Sequence, residues 1–214
     1  MSSRVARTAS WAILVAVWLG TILAYPSLPP VIATHWNMNG AVNGTMNAFA
    51  GAFLLPLIMG VVLLLFVAIP YIDPLRVNIG YFRAQYETFV ALFMLVFALI
   101  QATLIAWNLG APLDPRFIIL PAIGVLIYYI GSILPKTRRN WFVGIRTPWT
   151  ISSDRVWQKT HELGGNLFRI LGIIIVLSVF VPGLALEIIV TMLVVIVLGL
   201  VLYSYWLYEE ERRA

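Results

Sequence analysis

Cysteine is missing from this sequence of 214 residues, and histidine occurs at two positions, His35 and His161. The lack of cysteine excludes disulfide bonds, thiolate metal sites and cysteine nucleophiles. Two histidines are too few for a histidine-rich metal site, and no HExxH, GxSxG or Walker pattern occurs. The sequence therefore predicts a protein that is not an enzyme, with no catalytic residue, no metal and no cofactor.

Charge is also scarce. Charged residues make up 11% of the chain and hydrophobic residues 61%, and the mean hydropathy is +0.93. This composition predicts an integral membrane protein, in which each crossing segment needs about 20 apolar residues and must be helical to satisfy its own backbone. Six segments come near this length: Trp11–Tyr25, Gly51–Ile72, Phe89–Trp107, Phe117–Leu134, Phe168–Val181 and Leu186–Tyr208. The fifth is short unless Leu163–Phe168 extends it. The predicted fold is an all-α membrane protein, a bundle of six transmembrane helices.

The positive charges predict how this bundle is oriented. If the N-terminus is cytoplasmic, all fourteen Lys and Arg residues except Arg116 lie in or beside cytoplasmic segments. An excess of Lys and Arg in cytoplasmic loops is typical of membrane proteins, and it predicts that both termini are cytoplasmic. The net charge of +5 is explained in this way. We therefore expect contacts with membrane lipids and no direct binding of nucleic acid.

The predicted spans divide the chain into two units. Residues 1–72 form a two-span unit with an outer loop at 26–50, and residues 73–214 form a four-span unit with a cytoplasmic loop at 135–167. The outer loop contains no Asp, Glu, Lys or Arg. Val31–Trp36 has β-forming residues, and Asn39-Gly40 and Asn43-Gly44 are turn signals, so a small hairpin is predicted in this loop.

The cytoplasmic loop at 135–167 is the longest polar interruption of the sequence. Proline favours an extended conformation in the residue before it, here Thr147. Ser152 or Ser153 is a suitable cap for a helix that starts at Asp154. Gly164-Gly165 is a typical helix end. We therefore predict a short amphipathic helix at the membrane surface, separate from the fifth span.

Two polar residues in the loops have alternative interpretations. His35 is either a turn histidine bonded to loop backbone or part of a ligand site with Trp36 and Asn37. Arg146 binds lipid phosphate, caps helix carbonyls or contacts a protein partner. Because the centres of the spans carry no charge, an ion-driven pump is disfavoured. Transport of an uncharged molecule stays open.

The segment Gly144–Thr150, GIRTPWT, followed by Val156-Trp157 and Thr160-His161, resembles the signature of the SdpI family. The outer loop, from Leu28-Pro29 through His35-Trp36-Asn37, resembles a small domain of unknown function that often precedes this signature. Tyr71–Leu75 with Asn78 is similar to the family's loop between the second and third spans. The resemblance covers roughly residues 10 to 208.

This resemblance implies a six-span protein of the bacterial cell membrane that gives immunity to a secreted peptide toxin. It also implies that a small cytoplasmic DNA-binding repressor is held at the membrane. The outer-loop residues expected to contact the toxin are His35, Trp36 and Asn37. The residues of the signature loop, 135–167, expected to bind a partner are Asn140, Gly144, Arg146, Thr147, Pro148, Trp149, Trp157 and His161. A transporter or flippase of an amphipathic substrate is the alternative, and a membrane peptidase that degrades the toxin is a third hypothesis.

Overall fold

The computed structural model describes residues 2–213 and is mostly helical. Six of its helices are long and apolar enough to cross a membrane, so the predicted six-helix bundle is confirmed. The elements in chain order are α1 (Ser3–Ala24), β1 (Val31–Trp36), β2 (Val42–Asn47), α2 (Ala48–Ile72), α3 (Arg76–Tyr81), α4 (Arg83–Asn108), α5 (Arg116–Ile133), α6 (Pro148–Ser152), α7 (Asp154–Leu177) and α8 (Pro182–Arg213). The six crossing helices are α1, α2, α4, α5, α7 and α8.

The predicted helix end at Gly164-Gly165 is wrong. Helix α7 begins at Asp154 as predicted, with the Ser153 hydroxyl accepting a hydrogen bond from Val156 N at 3.2 Å. It then continues without interruption to Leu177, so the predicted surface helix and the fifth span are one helix. The signature loop is therefore shorter than predicted and comprises residues 134–153, between α5 and α7. Both glycines are buried, and their missing side chains make room for neighbouring elements.

Four glycines set the contact between α5 and α7. Gly124 and Gly131 on α5 face Gly172 and Gly165 on α7. A methyl group on Gly131 would lie 2.6 Å from Gly165 O, and one on Gly172 would lie 2.6 Å from Gly124 O. Between membrane helices small residues allow the backbones to approach closely, which increases van der Waals contact. The glycines are therefore a packing feature, repeated every seven residues on both helices.

The other half of the bundle is held by larger side chains. Phe66 of α2 packs edge to face against Phe89 and Phe93 of α4, with ring centroids 5.6 and 5.2 Å apart. Deeper in the bundle, Gln101 of α4 donates to Thr21 of α1 at 3.1 Å and to Ala52 O of α2 at 2.8 Å. Helix α4 thus binds α1 and α2 through one buried amide.

The predicted hairpin is confirmed. Strands β1 and β2 pair in antiparallel register, with Ala33 opposite Thr45 and His35 opposite Gly44. Gly40 has φ +79 in the connecting turn, a conformation that favours glycine. The second expected turn, at Asn43-Gly44, instead lies inside β2 beside an irregularity in the register. Gly44 fits there because a methyl group would lie 3.0 Å from His35 Cβ.

Asn108, at the end of α4, holds the hairpin against the bundle. Its Oδ1 accepts from Ala33 N at 2.8 Å, and its Nδ2 donates to Ala33 O at 2.9 Å and to Leu104 O at 2.8 Å. The amide therefore hydrogen-bonds to β1 as the backbone of a neighbouring strand would.

We expect Asn108→Leu to release the hairpin. The substitution leaves Ala33 N–H and C=O without partners, and each unsatisfied buried group costs about 1–3 kcal/mol. Faster amide exchange at Ala33, with unchanged exchange in the centre of α4, is the expected result of a hydrogen–deuterium exchange measurement. Asn39→Leu at the exposed turn is the control. Equal protection of Ala33 in the parent and in Asn108→Leu would contradict the role of the amide.

Candidate functional site

The chain contacts place the hairpin and the signature loop at opposite ends of the bundle. At one end the hairpin meets the α4–α5 connection, where Arg116 Nη1 donates to Met38 O at 3.4 Å. At the other end the signature loop meets the α2–α4 connection, where Asp73 Oδ2 accepts from Trp141 N at 2.9 Å. Which end faces the cytoplasm stays a prediction.

Asn140 fixes the first turn of the signature loop. The residue is completely buried, and its amide makes four hydrogen bonds. Nδ2 donates to the carbonyls of Arg138 and Val143, both at 2.8 Å. Oδ1 accepts from Phe142 N at 2.9 Å and from Val143 N at 2.6 Å. Asn140 therefore determines the path of residues 138–143 and has no free donor or acceptor for a partner.

His161 joins the signature loop to α7. Its Nδ1 lies 2.7 Å from Trp157 O, and its Nε2 lies 2.9 Å from Ile145 N. A carbonyl can only accept and a backbone N–H can only donate, so Nδ1 carries the proton and the ring is neutral. Gly144, with φ +121, lies against the ring, and a methyl group there would overlap Nε2. The histidine therefore positions backbone and is not available for proton transfer.

Trp157 is buried beside this histidine. The two rings stack with centroids 4.0 Å apart and planes 17° from parallel. The indole Nε1 lies 3.2 Å from Thr137 O and 3.3 Å from Thr137 Oγ1. Trp157 thereby holds the loop segment that follows α5 against the first turns of α7.

Thr147 and Thr150 form a capping box for the short helix α6, which begins at Pro148. The Thr147 hydroxyl accepts from Thr150 N at 3.1 Å, and the Thr150 hydroxyl accepts from Thr147 N at 2.9 Å. Thr150 Oγ1 also lies 2.8 Å from Ile145 O. Proline suits the first helical position because its missing N–H would have no partner there.

Helix α6 is attached to α8. The Thr147 and Ser204 hydroxyls lie 3.0 Å apart, and both residues are buried. Trp149 packs against Tyr205 with ring centroids 5.1 Å apart. The signature loop therefore contacts the last crossing helix as well as α7.

The prediction of site residues missed Asp73 and Asn78, which hold the signature loop from the other half of the bundle. Asp73 is 2% exposed, and its carboxylate accepts from Leu75 N at 2.6 Å and from Trp141 N at 2.9 Å. Asn78 Nδ2 donates to Arg139 O at 2.7 Å. Both lie in the segment that resembles the family loop between the second and third spans, which was the signal available in the sequence.

Two regions of the chain match known protein families. Residues 136–206 match the model of the SdpI/YfhL protein family. Immunity protein SdpI of Bacillus subtilis (strain 168) is 25% identical over 196 residues, which cover 90% of this chain and 91% of that protein. The resemblance to the SdpI family is confirmed. Residues 12–60 match a domain of unknown function, DUF1648, and no solved structure matches the chain.

The six apolar helices and the similarity to SdpI together show that the chain is a multi-pass membrane protein of a bacterium. The SdpI match begins just after α5 and covers nearly all of the signature loop, α7 and most of α8. The DUF1648 match covers most of α1, the hairpin and the first half of α2. The Asn108 amide joins the region that matches DUF1648 to α4, and Asp73 joins the end of α2 to the region that matches SdpI.

Half of the eight residues expected to bind a partner are buried in the protein. Buried are Asn140, Thr147, Trp157 and His161, whereas Gly144 and Trp149 are partly exposed and Arg146 and Pro148 are exposed. Arg146 Nη1 donates to Trp141 O, and Trp141 is itself 47% exposed. Among the eight predicted residues, the exposed ones are therefore Arg146 and Pro148, and Arg146 lies beside the exposed Trp141.

The three predicted hairpin residues do not form one surface. His35 is exposed, and its Nδ1 lies 2.6 Å from Asn43 Oδ1. Trp36 packs against Trp107 of α4 with ring centroids 5.7 Å apart. Asn37 Oδ1 accepts from the backbone N–H groups of Asn39 and Ala41 and so shapes the turn. Of these three side chains, His35 is the one best placed to contact a ligand.

Arg116, at the end that carries the hairpin, pairs with Asp114. The hydrogen bonds from its guanidinium lower the pKa of the Asp114 carboxyl, although partial burial opposes this shift. Because the folded-state pKa is lowered, the pair stabilises the fold at neutral pH, and this contribution is lost as the pH falls through the folded value. The contact with Met38 O therefore comes from a guanidinium that is held in place at neutral pH.

Proposed function

We propose that this chain is a membrane immunity protein that protects its cell against a secreted peptide toxin and acts without catalysis. The similarity to Immunity protein SdpI over 90% of the chain supports this proposal. Among residues 2–213, no group of three or more His, Asp or Glu side chains is placed to hold a metal ion. The buried histidine uses both ring nitrogens for backbone contacts.

In this proposal the hairpin contacts the toxin, and the signature loop binds a cytoplasmic partner. Helix α4 supports the division, since it connects the two ends. Its last residue, Asn108, binds the hairpin, and its first turns lie beside the segment that contains Asp73 and Asn78. A toxin that shifts the hairpin therefore acts on the helix that borders the signature loop.

The partner proposed for the signature loop is a small DNA-binding repressor. Arg146 is exposed and follows the exposed pair Trp141-Phe142 by four residues. Arginine and aromatic residues are enriched at the centres of protein interfaces, which suits this surface to protein binding. Recruitment to this surface needs the cytoplasmic orientation that the positive charges predict.

Survival of a toxin-sensitive strain that expresses the protein tests the proposal. The parent is expected to protect the cells against the killing peptide. Loss of one ligand hydrogen bond costs about 1.4 kcal/mol, so His35→Ala should lower the protective capacity about tenfold. Arg146→Ala should protect fully but fail to bring a tagged repressor to the membrane.

Asn39→Ala and Lys136→Ala, both at exposed positions, are the matched controls for the two ends. Each variant must reach the membrane at the level of the parent. No protection by a well-inserted parent would contradict the immunity proposal. Loss of protection in Arg146→Ala, with protection kept in His35→Ala, would contradict the assignment of the two ends.

A further inference from the structure

The hairpin has two outer edges, and the protein covers one of them. At β1 the Asn108 amide takes up both the N–H and the C=O of Ala33, as a third strand would. Strand β2 contacts β1 and the beginning of α2, which follows it directly in the chain. The edge of β2 that faces away from β1 is therefore the edge to consider.

The backbone of Thr45 points to that free edge. Ala33 is paired with Thr45, and the single N–H of Ala33 is donated to Asn108, so this pair exchanges no hydrogen bonds. In an antiparallel pair of this kind both residues direct their N–H and C=O groups outward, away from each other. Within the described residues, no loop backbone or side chain hydrogen-bonds to Thr45.

Strand β2 also lacks charge and proline, two of the features that protect natural sheet edges. Such edges commonly carry Lys, other charges or Pro, or are covered by another element. Residues 42–47, VNGTMN, contain neither charge nor proline, and Val42, Asn43, Thr45 and Asn47 are exposed. An exposed edge without these features is a template for pairing with another strand.

We propose that the free edge of β2 binds an extended, uncharged segment of a peptide by strand addition, with Thr45 N–H and C=O as the central backbone contacts. Backbone hydrogen bonds supply affinity in this mode, and side chains at alternate positions supply selectivity. The loop at 26–50 has no Asp, Glu, Lys or Arg to neutralise a charged ligand, which favours an uncharged segment. This inference rests on the proposed function and specifies how the toxin is held.

Thr45→Pro and Thr45→Val separate the backbone from the side chain in the survival assay. Proline removes the outward N–H but no hydrogen bond to β1, and an edge position whose N–H faces solvent is one that tolerates it. Valine keeps the N–H and the size of the side chain. We expect Thr45→Pro to lower protection at least about tenfold, the effect of one lost hydrogen bond, and Thr45→Val to protect like the parent. Full protection by a well-inserted Thr45→Pro would overturn strand addition and leave the immunity proposal standing.

Amide exchange gives a second measurement that does not depend on the folding of a proline variant. The parent, in lipid nanodiscs, is mixed with a capped hexapeptide of alternating valine and threonine, or with the same peptide N-methylated at every residue, which leaves neither of its edges an N–H to donate. The unmodified peptide should slow exchange of the Thr45 N–H severalfold, and the N-methylated peptide should not. Unchanged exchange at Thr45, or equal slowing by both peptides, would overturn the proposal.

A second copy of the chain is the competing occupant of this edge. Because the sequence has no cysteine, Thr45→Cys introduces a single thiol. Rapid disulfide formation between copies in lipid, unaffected by the hexapeptide, would assign the edge to self-association and overturn peptide binding. Slow crosslinking, with peptide-dependent protection of the thiol from a maleimide, would support it.

Discussion

Gly131→Ala is expected to destabilise the protein by about 1–3 kcal/mol, the cost of inserting a methyl group where there is no space. The new methyl would lie 2.6 Å from Gly165 O and 2.6 Å from Arg169 N. Both are backbone atoms of α7, so no side chain can rotate away and the two helices must separate. The helix propensity of alanine, which is about 1 kcal/mol better than that of glycine, works against this loss and makes the sign of the result informative.

Gly60→Ala in α2 is the matched control, because a methyl group placed there would have no atom of another helix within 4 Å. This variant should be as stable as the parent or slightly more stable. Reversible unfolding in mixed detergent micelles measures both free energies. Equal stability of Gly131→Ala and Gly60→Ala would contradict direct backbone contact between α5 and α7.

The six crossing helices could be predicted because a membrane crossing depends on length and hydropathy, which are local properties of the sequence. The error at Gly164-Gly165 arose because glycine ends helices in water and brings helices together in lipid. Only the partner on α5 distinguishes the two uses, since Gly165 lies against Gly131 O at a methyl-to-oxygen distance of 2.7 Å. That contact depends on tertiary structure and has no signal inside the loop itself.

The direction of the side chains in the signature loop could not be predicted from the sequence. Asn140 and His161 are polar, which favours a binding role at the level of sequence, whereas in the structure they satisfy backbone groups of an irregular loop. The N–H and C=O groups of an irregular backbone need side-chain hydrogen-bond partners when they are buried away from water. The role of Asp73 could not be predicted either, because the N–H group that it accepts from, at Trp141, is 68 residues away in the chain.

This arrangement gives the signature loop contacts with both halves of the bundle. Asp73 and Asn78 hold it from the α2–α4 connection, and His161 and Ser204 hold it from α7 and α8. A displacement of the α2–α4 connection relative to α7 therefore has to change the loop. This is the physical basis on which an event at the hairpin, joined to α4 through Asn108, is expected to alter the surface around Arg146.

His161→Phe is expected to destabilise the protein by about 2–4 kcal/mol and to loosen the signature loop selectively. Phenylalanine keeps a ring to stack on Trp157 but can neither accept from Ile145 N nor donate to Trp157 O. An unsatisfied buried N–H costs about 1–3 kcal/mol, and loss of the second hydrogen bond adds about 1 kcal/mol. Amide exchange at Ile145 should accelerate, while exchange in the middle of α7 should change much less.

The other histidine is the control for this substitution. His35 is exposed, so His35→Phe should change the unfolding free energy by less than about 0.5 kcal/mol. If His161→Phe is as stable as His35→Phe and Ile145 stays protected, His161 does not position the loop. If the loop loosens and repressor recruitment is lost while the protein stays inserted, His161 is a positioning residue. Its neutral imidazole then supports the surface at Arg146 through the backbone of Ile145 and does not itself contact the partner.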